Sequence, residues 1–108
     1  MATVYTPAQF DKAVELIGKL PEDGPVKPTQ DDKLTFYGLF KQANVGDNDT
    51  KKPGMMDFAG KYKWEAWNKN KGLSSDEAKH KYVEHFIAVL DRAGTPEAED
   101  LKKQVLAA

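Results

Sequence analysis

Rings and lysines are concentrated between Phe36 and Trp67 in a pattern with chemical meaning. Tyr37, Phe40 and Lys41 stand at i, i+3 and i+4, so on a helix they share one face. Further along, Lys63 lies between Tyr62 and Trp64. Flat rings beside ammonium groups suit a ligand built from a planar base and a phosphate. The rings stack on the base, and lysine meets the phosphate as a mobile point charge. The charge distribution agrees. From Phe36 to Gly72 there are seven lysines and four acids, a local charge of +3, whereas the rest of the chain has nine basic and thirteen acidic residues. The overall charge of −1 conceals that asymmetry.

Other chemistries lack their residues. Nucleophilic catalysis needs a nucleophile with a base in reach, and here there is no cysteine and no serine in a nucleophile-elbow context. His80 and His85 are five apart, off a common helical face, where zinc pairs prefer three or four. No GxxxxGK or GxGxxG phosphate loop occurs. Asp47-Asn48-Asp49 resembles a calcium loop only briefly. Lys51 stands where a further oxygen ligand is required, and Lys52 where the turn needs glycine. Side-chain to backbone turn bonds are the expected role of these residues. Asp31-Asp32 and Asp76-Glu77 are explained by helix capping. Neither an enzyme, nor a metal site, nor a cofactor is expected.

Composition sets the frame. The 108 residues make one domain, 40% hydrophobic and 31% charged, as in an ordinary soluble globule. With a net charge near zero, a general nucleic-acid binder is not expected. No apolar run reaches the length of a membrane span, and MATVYTPAQF lacks the basic and apolar segments of a secretory signal. A cytoplasmic monomer is the expectation.

Helical signals run throughout, and no stretch alternates with period two, so the fold class is all-α. Thr6-Pro7-Ala8-Gln9 is a helix start, followed by Phe10, Ala13, Val14, Ile17 and Leu20 at helical spacing, with Pro21 as the stop. Three prolines in PEDGPVKPT make a stiff connector. Thr29 caps a second helix, about Gln30 to Ala43, whose apolar residues cover more than one stripe. Asn44 to Met56 is rich in turn formers. A third helix should run from Asp57 or Gly60 to Lys71 and close at Gly72. Ser74-Ser75-Asp76-Glu77 is a capping box for a fourth, with Ala78, Tyr82, Val83, Phe86, Val89, Leu90 and Ala93 facing the core and Gly94 ending it. A short fifth helix over Glu97 to Ala107, marginal without tertiary contacts, completes the chain. Trp64, Trp67, Phe36 and Phe86 are expected in the core.

Several ordered motifs extend this reading: Phe36-Tyr37-Gly38-Leu39-Phe40-Lys41-Gln42-Ala43, Val45-Gly46-Asp47, Lys52-Pro53-Gly54-Met55-Met56-Asp57-Phe58 and Lys61-Tyr62-Lys63-Trp64-Glu65-Ala66-Trp67-Asn68. Together they resemble the acyl-CoA-binding protein family, with the resemblance running from about Phe10 to Leu90. It implies an up-down-down-up four-helix bundle, here with a short extra C-terminal helix, over a domain core of about 5–94 and a tail of 95–108. It also implies non-catalytic intracellular binding and transport of medium- to long-chain acyl-CoA esters. By the resemblance, Tyr37, Lys41 and Lys63 hold the adenosine phosphate, and Phe40 and Tyr82 pack around the adenine. Val14, Lys33 and Leu34 line the acyl groove. Phe40 replaces a tyrosine of many members. Gly18 occupies a place often basic in the family, which leaves neighbouring Lys19 as the candidate at the phosphate rim. The expected partners are the acyl-CoA ligand and, transiently, acyl-CoA-using enzymes or membranes. A helical interaction module regulated by a lipid ligand is the alternative reading.

Overall fold

The computed structural model describes residues 4–108, and all regular structure among them is helical. Five helices follow in order: α1 (Pro7–Gly18), α2 (Gln30–Asn44), α3 (Phe58–Asn68), α4 (Ser75–Ala93) and α5 (Pro96–Ala107). Local chemistry fixes most boundaries. Thr6, Thr29 and Ser74 form reciprocal capping boxes with Gln9, Asp32 and Glu77, satisfying amide groups that a helix start leaves unpaired. Gly94 ends α4 in the left-handed conformation, φ 63°, which glycine adopts without a Cβ penalty.

Two ends differ from the sequence expectation. Helix α1 stops at Gly18, and Lys19 and Leu20 close it with tight bonds to the Leu16 and Ile17 carbonyls. Helix α3 stops at Asn68, three residues early. There the chain continues as overlapping turns, Asn70 N–H to the Trp67 carbonyl and Lys71 N–H to the Asn68 carbonyl. Gly72 lies beyond them at φ 93°, with its N–H donating to Asp47 Oδ1 at 3.0 Å.

Side-chain pairings give the helix directions. Tyr37 meets Lys63, Gly38 meets Ala66 and Lys41 meets Trp67, so α2 and α3 run parallel. Asp32 meets His85 while Ala43 meets Ser75, so α2 and α4 are antiparallel. Tyr5 meets His80, Phe10 meets Tyr82, and Phe10 stacks on Phe40. With α1 thus parallel to α4 and opposed to α2, the first four helices form an up-down-down-up bundle. The core lies between α1, α2 and α4, around Phe10, Leu16, Phe36, Leu39, Phe86 and Leu90, each buried. Burying each such side chain contributes roughly 1.5–3 kcal/mol.

Helix α5 packs on both α1 and α4. Ala98 and Val105 are completely buried there, and Lys102 Nζ reaches Asp91 Oδ1 at 2.9 Å. These contacts supply what a twelve-residue helix lacks in isolation.

A polar clamp joins α2 to α4. Asp32, buried at 5% exposure, accepts from the Thr29 amide and Arg92 and lies 3.0 Å from His85 Nε2. Burial pushes its carboxyl upward, but the hydrogen bonds from Arg92, Thr29 and His85 outweigh this and hold it well below the usual carboxylate range.

Candidate functional site

Helix α3 packs along α2, α1 packs on α4 and α5 and reaches α2 through the Phe10 ring on Phe40, and among the described residues α1 and α3 do not pack on each other. Helix α2 is therefore the floor of a trough walled by α1 and α3. The three residues that share its face divide their contacts. Phe40 turns toward α1, its ring 6.3 Å from Phe10. Lys41 turns toward α3, its Nζ 5.2 Å from the Trp67 ring centroid. Tyr37 receives Lys63 from α3, with Nζ 5.6 Å from its ring.

The close approach of α2 and α3 depends on Gly38. A Cβ there would fall 2.2 Å from the Ala66 carbonyl oxygen. Without one, the backbones come together and Lys63 can reach Tyr37. Trp67 anchors the same wall, buried with its indole N–H donating to the Gly46 carbonyl at 2.8 Å.

Electrostatically the trough is unneutralised. Lys33, Lys41 and Lys63 take part in none of the ion pairs found among the described residues. Rings flank two of these ammonium groups, an arrangement worth about 0.5–1 kcal/mol at exposed sites that leaves their N–H donors available. Phe40 offers 39% of its surface, a flat face open to a stacking partner.

Other sequence candidates lie at different depths. Tyr82 is in the core, wedged 5.0 Å from both Phe10 and Phe36, and burial pushes its phenol up to about 12. Val14 is half-buried against the core, and Leu34 is half-buried on α2. Lys33 edges a hollow of about 600 Å³ that Ile17, Leu20, Val26 and Phe36 also line. Lys19 bonds Glu15 at 3.4 Å and lines a separate hollow against Pro96 and Leu101 of α5.

Two features were beyond sequence reasoning. Lys79 of α4 stands 5.6 Å from the Phe10 ring, a pairing across 69 residues that no spacing rule signals. Trp64, expected in the core, is only half-buried. Its indole N–H donates to the Thr50 carbonyl at 3.0 Å, and Lys52 covers its ring at 5.8 Å. The turn residues behave as their types suggest: Asn48 Oδ1 accepts from the Thr50 amide and hydroxyl, and Asp47 Oδ1 from Gln42 and Gly72.

Known proteins match this arrangement along most of the chain. Residues 7–86 fit the family model described as "Acyl CoA binding protein". Acyl-CoA-binding protein homolog 3 of Caenorhabditis elegans is 46% identical over 84 residues, 78% of this chain and 72% of the relative. The Drosophila melanogaster acyl-CoA-binding protein homolog is 52% identical over 75 residues, 69% of this chain and 83% of that one. The crystal structure of ACBP from Moniliophthora perniciosa superposes with a TM-score of 0.94 at 48% identity, covering 98% of this chain and 100% of that chain. The chain belongs to the acyl-CoA-binding protein family, a non-catalytic family whose ligand is acyl-CoA.

Proposed function

We propose that this protein carries medium- to long-chain acyl-CoA esters, with the coenzyme's adenosine phosphate gripped across the trough. Tyr37, Lys41 and Lys63 hold the phosphate, and Phe40 stacks on the adenine with Tyr82 behind it. Lys33, Leu34 and Val14 border the path of the acyl chain, with the Lys33 methylenes along the chain and its ammonium in water. Lys19 is assigned to the phosphate rim. Residues 5–94 form the binding unit, to which 95–108 are an addition. The carrier acts as a cytoplasmic monomer that hands its ligand to acyl-CoA-using enzymes.

The observation that carries this reading is the convergence of Lys63 on Tyr37, one helical turn from Lys41, with no carboxylate neutralising either lysine among the described residues. Charge-assisted hydrogen bonds contribute roughly 1.5–3 kcal/mol each. Each buried methylene adds about 0.8 kcal/mol, so a chain of about sixteen carbons adds on the order of 10 kcal/mol before ordering costs. The headgroup therefore sets identity, and the tail dominates affinity.

Calorimetry on the Lys41→Ala/Lys63→Ala double variant tests the grip. Loss of two such bonds should weaken palmitoyl-CoA binding by about 10²- to 10⁴-fold while the circular dichroism stays helical. Undiminished binding by the folded variant would place the ligand on another surface. Palmitate, lacking the phosphate anchor, should bind far more weakly than its CoA ester.

A further inference from the structure

Ahead of α3 the chain makes an exposed turn. The Asp57 N–H donates to the Gly54 carbonyl at 3.0 Å, which puts Met55 and Met56 at the two corners. Turn corners ordinarily hold glycine, proline, asparagine or aspartate. Here two methionines stand in water at 83% and 88% exposure. Phe58 and Tyr62, one helical turn apart on α3, continue the ridge at 62% and 55% exposure. Half of the eight large apolar side chains exposed among the described residues thus fall within this short stretch. Nothing in the fold requires them there, and contiguous exposed apolar surface marks an interaction site.

Charge selects the partner. Lys51, Lys52 and Lys61 flank the ridge, and Asp57 is the single acid from Lys51 to Lys63. That carboxylate is already engaged, accepting from the Gly60 N–H at 3.0 Å as the cap of α3. Lys51 and Lys61 enter none of the ion pairs among the described residues, whereas Lys52 lies 3.5 Å from Glu65.

We propose that the Met55-Met56-Phe58-Tyr62 ridge docks the protein on an anionic lipid bilayer. Thioether and ring groups enter the boundary between headgroups and acyl chains, and Lys51 and Lys61 remain at the level of the lipid phosphates. A protein groove would take an apolar ridge without asking for cations around it; an anionic membrane asks for both. The proposal stands apart from the ligand assignment, because it uses neither Lys41 nor Lys63.

Vesicle flotation of the full chain, without acyl-CoA, tests it. Vesicles of phosphatidylcholine containing about 30% phosphatidylserine should carry the protein upward, and pure phosphatidylcholine should not. Added salt should release it, because the attraction to the lipid charge is screened. Met55→Ser/Met56→Ser should lower the partition coefficient about tenfold, and Lys51→Glu/Lys61→Glu at least as much. Both variants should keep the helical spectrum and the acyl-CoA affinity of the parent. Wild-type protein that ignores phosphatidylserine would overturn the proposal and leave a protein groove as the occupant. Vesicle binding that neither variant weakens would overturn it too, and so would a matching loss of acyl-CoA affinity in the methionine variant, which would assign those side chains to the ligand.

Discussion

Replacing Gly38 by alanine sets two known effects against each other, and the structure decides the sign. In an exposed helix the exchange stabilises by about 1 kcal/mol, because glycine loses more backbone freedom on folding. At Gly38 the added Cβ would lie 2.2 Å from the Ala66 oxygen and 2.6 Å from its carbonyl carbon. Ordinary carbon contacts begin near about 3.5 Å, so α2 and α3 must part by roughly 1 Å. Overpacking of this kind costs about 1–3 kcal/mol, and the upper half applies because the obstacle is backbone and cannot rotate away. The net loss should be about 1–2 kcal/mol, a fall in Tm of roughly 5–10 °C for a domain of this size. Gly18→Ala is the matched control: no heavy atom lies within 4 Å of its Cβ, so that variant should gain up to about 1 kcal/mol. Urea and thermal melts of the two variants measure the difference directly. If Gly38→Ala melts as high as Gly18→Ala, the close helix approach does not limit packing and the reasoning fails.

Two further expectations concern protons. Asp32 is held well below its ordinary pKa, so its contribution is complete above the unfolded value of about 3.9 and disappears as pH falls below it. Asp32→Asn should cost about 2 kcal/mol in urea melts at neutral pH, and the gap from wild type should narrow at pH of about 3; a gap of equal size at both would contradict the clamp. Tyr82 is shifted the other way, to about 12, so folding stability should decline as pH rises from the unfolded value of about 10. At pH of about 11 the loss should be about 1.4 kcal/mol, and Tyr82→Phe should remove it; identical alkaline melting curves for the two proteins would refute the burial argument.

Where capping residues carry the signal, the sequence marks the helix starts. Ser74 with Glu77 and the glycine at 94 bracket α4 without error, because caps and left-handed termini depend on a few neighbouring residues. Thr29 and Asp32 mark the start of α2 for the same reason. Gly72 does not end α3, because what it terminates is a run of turns tied to Asp47 from a distant loop. Trp64 was misplaced because ring size says nothing about which face of α3 meets α2. At the trough, Tyr37, Phe40 and Lys41 could be picked out by spacing. Their division between α1 and α3 could not, since it follows from Phe10, Trp67 and Lys63, all remote in sequence.

Among the described residues, helix α3 touches α2 and no other helix. Every other element has at least two supporting neighbours, so this one can swing out while the remaining four keep their shared interior. Amide exchange should find it among the least protected helices, a cooperative unit that opens well below the global unfolding free energy. The ammonium of Lys63 travels with that unit. Under the proposed carrier function, opening of this unit would loosen the hold on the phosphate while the core shared by the other four helices stays closed.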